Sequence, residues 1–96
     1  VVFLTDFGRT PKVNGNGGRD HHPGVYSMAF AGGGVHGGQV YGASDTKGIE
    51  PAAGACSPAD IHAAVYKAMG IDHNAELHDQ LDRPYLICEG QPLPIV

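Results

Sequence analysis

The chain opens on Val1-Val2-Phe3-Leu4, four apolar residues with no polar interruption, rich in β-branched and aromatic side chains. Such a run reads as a β-strand. Its lack of alternation sets it apart from a strand with one wet face. A strand apolar on both sides needs cover on both, as an inner strand of a parallel sheet has between helices. The rest of the sequence offers one clear helix and two or three more strand candidates, too few partners for a self-contained doubly wound sheet. The expectation is an α/β fold in which residues 1–96 are the C-terminal portion of one incomplete domain. A parallel-type central strand, one helix and long Gly-rich loops would make it up. The missing N-terminal part of the same domain would be its first partner.

Fifteen glycines and seven prolines among 96 residues demand extensive loops. A hydrophobic share of 42% with 17% charged residues is nonetheless that of a folded chain, and excludes the composition of intrinsic disorder. No apolar stretch approaches the length of a membrane span. A net charge of -4 with six Lys and Arg residues argues against a nucleic-acid partner. Cys56 and Cys88 allow one disulfide and form no C-x-x-C pair; a bridge and a free thiol stay equally open.

After the opening strand, Asp6 to Gly24 reads as a long loop punctuated by Pro11, Asn14-Gly15, Asn16-Gly17-Gly18 and Pro23. Loops of that length are uncommon and often functional. Val25 to Ala31 and Gln39 to Gly42 are further strand candidates, separated by the turn-forming Gly32-Gly33-Gly34. Ser57-Pro58-Ala59-Asp60 starts a helix, with Ser57 as N-cap, Pro58 at the first helical position and Asp60 at the third. Ile61, Ala64, Val65, Ala68 and Met69 give it an apolar stripe. Gly70 is placed to end it in a left-handed conformation. Pro84 to Cys88 reads as a short strand and Leu93 to Val96 as an extended tail.

In open α/β sheets ligands gather outside the carboxyl ends of the strands. Asp6 ends the first strand, and the next loop carries Arg9, Arg19, Asp20, His21 and His22. Asp and His are donors suited to zinc and related divalent metals. Arg9 and Arg19 could grip the oxyanion of an ester through bidentate hydrogen bonds. The competing reading has Asp6 capping a turn, His21 on the surface and the arginines in structural contacts.

The segments Val1 to Pro11, Gly18-Arg19-Asp20-His21-His22-Pro23, Ala31 to Val35 and Gly37 to Gly42 resemble a sulfatase-like bacterial family, catalogued as domain of unknown function 1501. Leu77-His78-Asp79-Gln80-Leu81-Asp82-Arg83-Pro84 and the tail are similar to its C-terminus. The resemblance implies the alkaline-phosphatase-like fold, shared with sulfatases and phosphopentomutases. It implies Asp6 as the metal-binding Asp of an Ala-Asp-His-Gly strand end, and His21 as the later metal-binding His. Phe7 stands where the first histidine of that motif would be, and an aromatic ring supplies no metal ligand. A one-metal site or a metal-free remnant fits better.

The resulting expectation is a metal-assisted hydrolase of sulfate or phosphate esters, small or polysaccharide, with zinc, calcium or manganese as cofactor. Asp6 and His21 would bind metal, and Arg9 and Arg19 the substrate. The nucleophile of such enzymes lies in the N-terminal part of the fold, so residues 1–96 alone would be inactive. The resemblance also implies export to the periplasm. The alternative is a binding or structural protein that has kept the fold and lost catalysis.

Overall fold

The computed structural model describes residues 1–96, which form two units: Val1–Ala31 with Val40–Ala55, and Gly32–Gln39 with Cys56–Val96.

The first unit holds three antiparallel pairs. β1 (Val2–Phe3) pairs with β4 (Ala29–Phe30), β2 (Gly8–Arg9) with β3 (His21–His22), and β5 (Ala43–Ser44) with β6 (Pro51–Ala53). The expected parallel central strand is therefore corrected, and the alkaline-phosphatase-like α/β architecture with it. The physical reason is the connection. A parallel partner needs a crossover of a dozen or more residues, usually a helix. Between β1 and β4 the chain instead folds back on itself as β2 and β3, with no helix. The apolar run also lies open rather than covered on both faces: Val1 is 93% exposed and Phe3 70%. No residue of this unit is fully buried. Backbone pairing and turns hold it, not a core.

The second unit contains α1 (Pro58–Ala68), β7 (Glu76–His78) and β8 (Pro84–Leu86). The helix starts and stops where local chemistry dictates. Ser57 and Asp60 form a reciprocal capping box with Pro58 in the first turn, and Gly70 follows with φ +76°. Ile61, Ala63 and Ala64 are buried, as are Cys88 and Leu93 from the C-terminal segment. Burying Ile61 and Leu93 stabilises by about 2 kcal/mol each. Met69, expected on the apolar stripe, is 69% exposed, whereas Ala63, not expected on it, is buried.

The C-terminal segment runs along α1 without forming a strand. Gln91 N donates to Asp60 Oδ1 (2.8 Å), Cys88 Sγ to the Ala59 carbonyl (3.1 Å) and Lys67 Nζ to the Val96 carbonyl (3.1 Å). Gly90 lies so close that a Cβ would overlap the backbone of Ala59 and Asp60. β7 and β8 pair in register Glu76 to Leu86, Leu77 to Tyr85 and His78 to Pro84. No helix is long and apolar enough to cross a membrane.

Candidate functional site

The loop expected between Asp6 and Gly24 is a hairpin. Arg9 pairs with His21 and Gly8 with His22. Gly8 is required by close approach, because a Cβ there would overlap the Val25 carbonyl. Beyond the pairs, Thr10 N donates to the Asp20 carbonyl, and Asp20 N donates to Thr10 Oγ1, both at 3.0 Å. Thr10, Asn14 and Asp20 brace this hairpin; the sequence marked Asn14 as a turn former and Asp20 as a charged loop residue, and gave no sign of the part Thr10 plays.

Residues two apart on a strand share a face, and diagonal cross-strand neighbours lie within reach of aromatic side chains. Phe7 and Arg9 therefore share a face with His21, the cross-strand partner of Arg9. The Phe7 and His21 rings stack with centroids 3.8 Å apart and planes inclined by 25°. Arg9 Cζ lies 5.6 Å from the Phe7 centroid, within cation–π range. The residue in the expected histidine position thus serves as a platform for the other histidine.

Both arginines are engaged by the hairpin itself. Arg9 Nη1 donates to the Arg19 carbonyl at 3.1 Å. Arg19 Nη1 donates to the Thr10 carbonyl at 3.0 Å and also to the Pro11 carbonyl. Nη1 of each guanidinium group thus satisfies backbone acceptors of the loop.

Asp6 is exposed at a bend just before Phe7, and its carboxylate takes part in no ion pair. His21 is exposed beyond its stacked face. His22, the next residue along, donates from Nε2 to the Ile49 carbonyl at 2.7 Å. That bond ties the hairpin to the segment before β6.

Asp6 and His21 have the donor chemistry of a zinc or manganese site, but nowhere does the chain gather three or more His, Cys, Asp or Glu side chains as a metal would need. A catalytic zinc takes three protein ligands and a water, and calcium takes six to eight oxygens. The chain by itself does not supply a complete ligand set. A shallow cavity of about 280 Å³ opens at the far end of the hairpin, lined by Thr10, Lys12, Val13, Asn14, Gly15 and Asp20. None of the four candidate residues lines it.

In the second unit, His78 lies between two carboxylates, with Nδ1 at 2.8 Å from Asp82 Oδ1 and Nε2 at 3.9 Å from Glu76 Oε2. The His78-Asp79 pair, which carried part of the family resemblance, straddles the end of β7 and the start of the turn to β8.

The profile of one family, described as "Protein of unknown function (DUF1501)", matches residues 1–95. No curated protein and no solved structure matches the chain.

Proposed function

The chain belongs to the DUF1501 family of proteins of unknown function, and from that premise we propose that it is the part of a sulfate- or phosphate-ester hydrolase that lends Asp6 and His21 to a divalent-metal site. The observation that carries this reading is the β2–β3 pairing. It sets His21 opposite Arg9 and stacks it on Phe7, the residue next to Asp6, so fifteen positions of sequence are closed to one neighbourhood. A carboxylate and an imidazole, both exposed, are the donors such a site takes. The remaining ligands and the nucleophile come from outside these residues. A bound divalent metal would neutralise charge developing on the transferred sulfuryl or phosphoryl group.

The same reading makes residues 1–96 part of a larger domain of sulfatase kinship, exported to the periplasm. Its support is the open apolar surface of Val1, Phe3 and Leu4 in a unit with no buried residue, a surface that calls for cover.

The test is metal content of the full-length protein beside its Asp6→Ala and His21→Ala variants, followed by aryl sulfate and aryl phosphate assays. The expected result is metal in the wild type, loss in both variants and a parallel loss of turnover. Equally low metal in all three removes the hydrolase reading.

A second reading, a non-catalytic binding or structural protein, is favoured by one observation: Phe7, Arg9, Arg19 and His21 already satisfy one another and the loop backbone. It predicts that His21→Ala lowers stability without changing metal content.

A further inference from the structure

Two Asn-Gly pairs, Asn14-Gly15 and Asn16-Gly17, follow one another in the loop between β2 and β3. Asparagine before glycine is the pairing in which a backbone nitrogen most readily attacks the preceding carboxamide. Glycine has no Cβ to obstruct the five-membered ring and gives the backbone the freedom to close it. With glycine after both, the sequence makes the two sites equal.

The folded loop separates them. Asn14 is half-buried and its carboxamide is held at three points. Its Oδ1 accepts the N–H groups of Asn16 (2.9 Å) and Gly18 (3.0 Å), and its Nδ2 donates to Asp20 Oδ1 (3.0 Å). Its main-chain N–H is also bound, to the Gly18 carbonyl at 2.7 Å. Turning Asn14 Cγ toward Gly15 N means breaking up the loop. The Asn16 side chain is exposed and makes no hydrogen bond. The nitrogen that would attack it, that of Gly17, is tied by one turn bond to the Asn14 carbonyl at 3.1 Å, and the space around Gly17 is open.

We propose that Asn16 is a site of spontaneous deamidation in the folded protein, and that Asn14 is protected. The Gly17 amide nitrogen loses its proton and bonds to Asn16 Cγ. The Cγ–Nδ2 bond breaks, and ammonia leaves carrying that proton. Water then adds to either carbonyl of the succinimide, opening it to an aspartyl or an isoaspartyl residue. The isoaspartyl product lengthens the main chain between Asn14 and Gly18, in the loop that leads to Arg19 and His21.

The experiment is incubation of the intact protein at mildly alkaline pH, with peptide mapping by mass spectrometry over time, folded and in denaturant. The expected result is conversion at Asn16 several-fold faster than at Asn14 in the folded protein, with the two rates converging in denaturant. Asp20→Ala, which frees Asn14 Nδ2, should raise conversion at Asn14, and Asn16→Gln should abolish the fast site alone. Equal rates in the folded state, faster conversion at Asn14, or a preference that survives denaturation would each overturn the proposal. So would a folded chain silent at Asn16 while the denatured chain converts.

Discussion

Asp79 and Arg83 face each other across the turn of the β7–β8 hairpin, and the Asp79 carboxylate gathers its donors there. Oδ2 accepts Arg83 Nε at 2.6 Å and lies 2.6 Å from Arg83 Nη2. Oδ1 accepts the N–H groups of Leu81 (2.8 Å) and Arg83 (3.0 Å). One carboxylate thus holds both the side chain and the backbone of the residue just before the return strand. Arg83→Lys keeps the charge but loses the planar fork. Asp79→Ala loses every bond at once and leaves the turn N–H groups to water. Amide hydrogen exchange in β7 and β8 should quicken slightly in the first variant and strongly in the second. Unchanged exchange in Asp79→Ala would mean the hairpin is set by its strands alone.

Stability should fall on acidification, with the sign set by two carboxylates. The backbone N–H of Arg83, then its side chain, then the Leu81 N–H hold the Asp79 carboxyl below the usual carboxylate range. The Gln91 N–H and the Ser57 donors do the same for Asp60. A carboxyl with its folded pKa lowered adds stability that is complete above the unfolded value. That stability is lost as pH falls through the folded value. Melting temperature should therefore be flat above about pH 5 and drop below about pH 4. Asp60→Asn together with Asp79→Asn should flatten that acid limb. A limb unchanged in the double variant would assign it to other groups.

How much was legible in the sequence depends on how local the determinant is. The helix was readable because Ser57, Pro58, Asp60 and Gly70 act within one turn of where they stand. Strand direction was not, since the Val1 to Leu4 run reports a demand for cover and says nothing about which segment pairs with it. β5 and β6 were read as loop because Ala43, Ser44 and Pro51 to Ala53 carry no β-branched or aromatic residue. They pair because Asp45 builds the turn between them, its Oδ1 accepting Ile49 N at 2.8 Å and its N–H donating to the Glu50 carbonyl at 2.8 Å. At the candidate site, residue types were legible and targets were not. The engagement of Arg9 and Arg19 by carbonyls of their own loop follows from a register that periodicity cannot supply.

The ends of α1 should respond in proportion to their local roles. Ser57→Ala removes the side chain that caps Asp60 N and should cost about 1 kcal/mol. Gly70→Ala forces a Cβ into a left-handed conformation and should cost about 1 kcal/mol. Gly90→Ala should exceed both, at about 3 kcal/mol, because the clash is with the helix backbone at Ala59 and Asp60 and not with a movable side chain. Chemical denaturation of the three variants checks the order. Gly90→Ala ranking below Ser57→Ala would show that the C-terminal segment moves off the helix at little cost.

The two cysteines should behave as two different thiols. Both are free, Cys56 exposed and Cys88 buried. Partial desolvation of its sulfur and the nearby Asp60 charge push the Cys56 thiol above its ordinary value, so little thiolate forms at neutral pH. Cys88 is shielded, with its Sγ bound to the Ala59 carbonyl. A neutral-pH titration with an aromatic disulfide reagent should modify Cys56 more slowly than free cysteine, and Cys88 only after denaturation. Raising the pH should quicken Cys56, and Asp60→Asn should quicken it at constant pH by removing the repelling charge. Fast labelling of Cys88 in the native state would mean that the C-terminal segment leaves α1 often enough to expose its buried face.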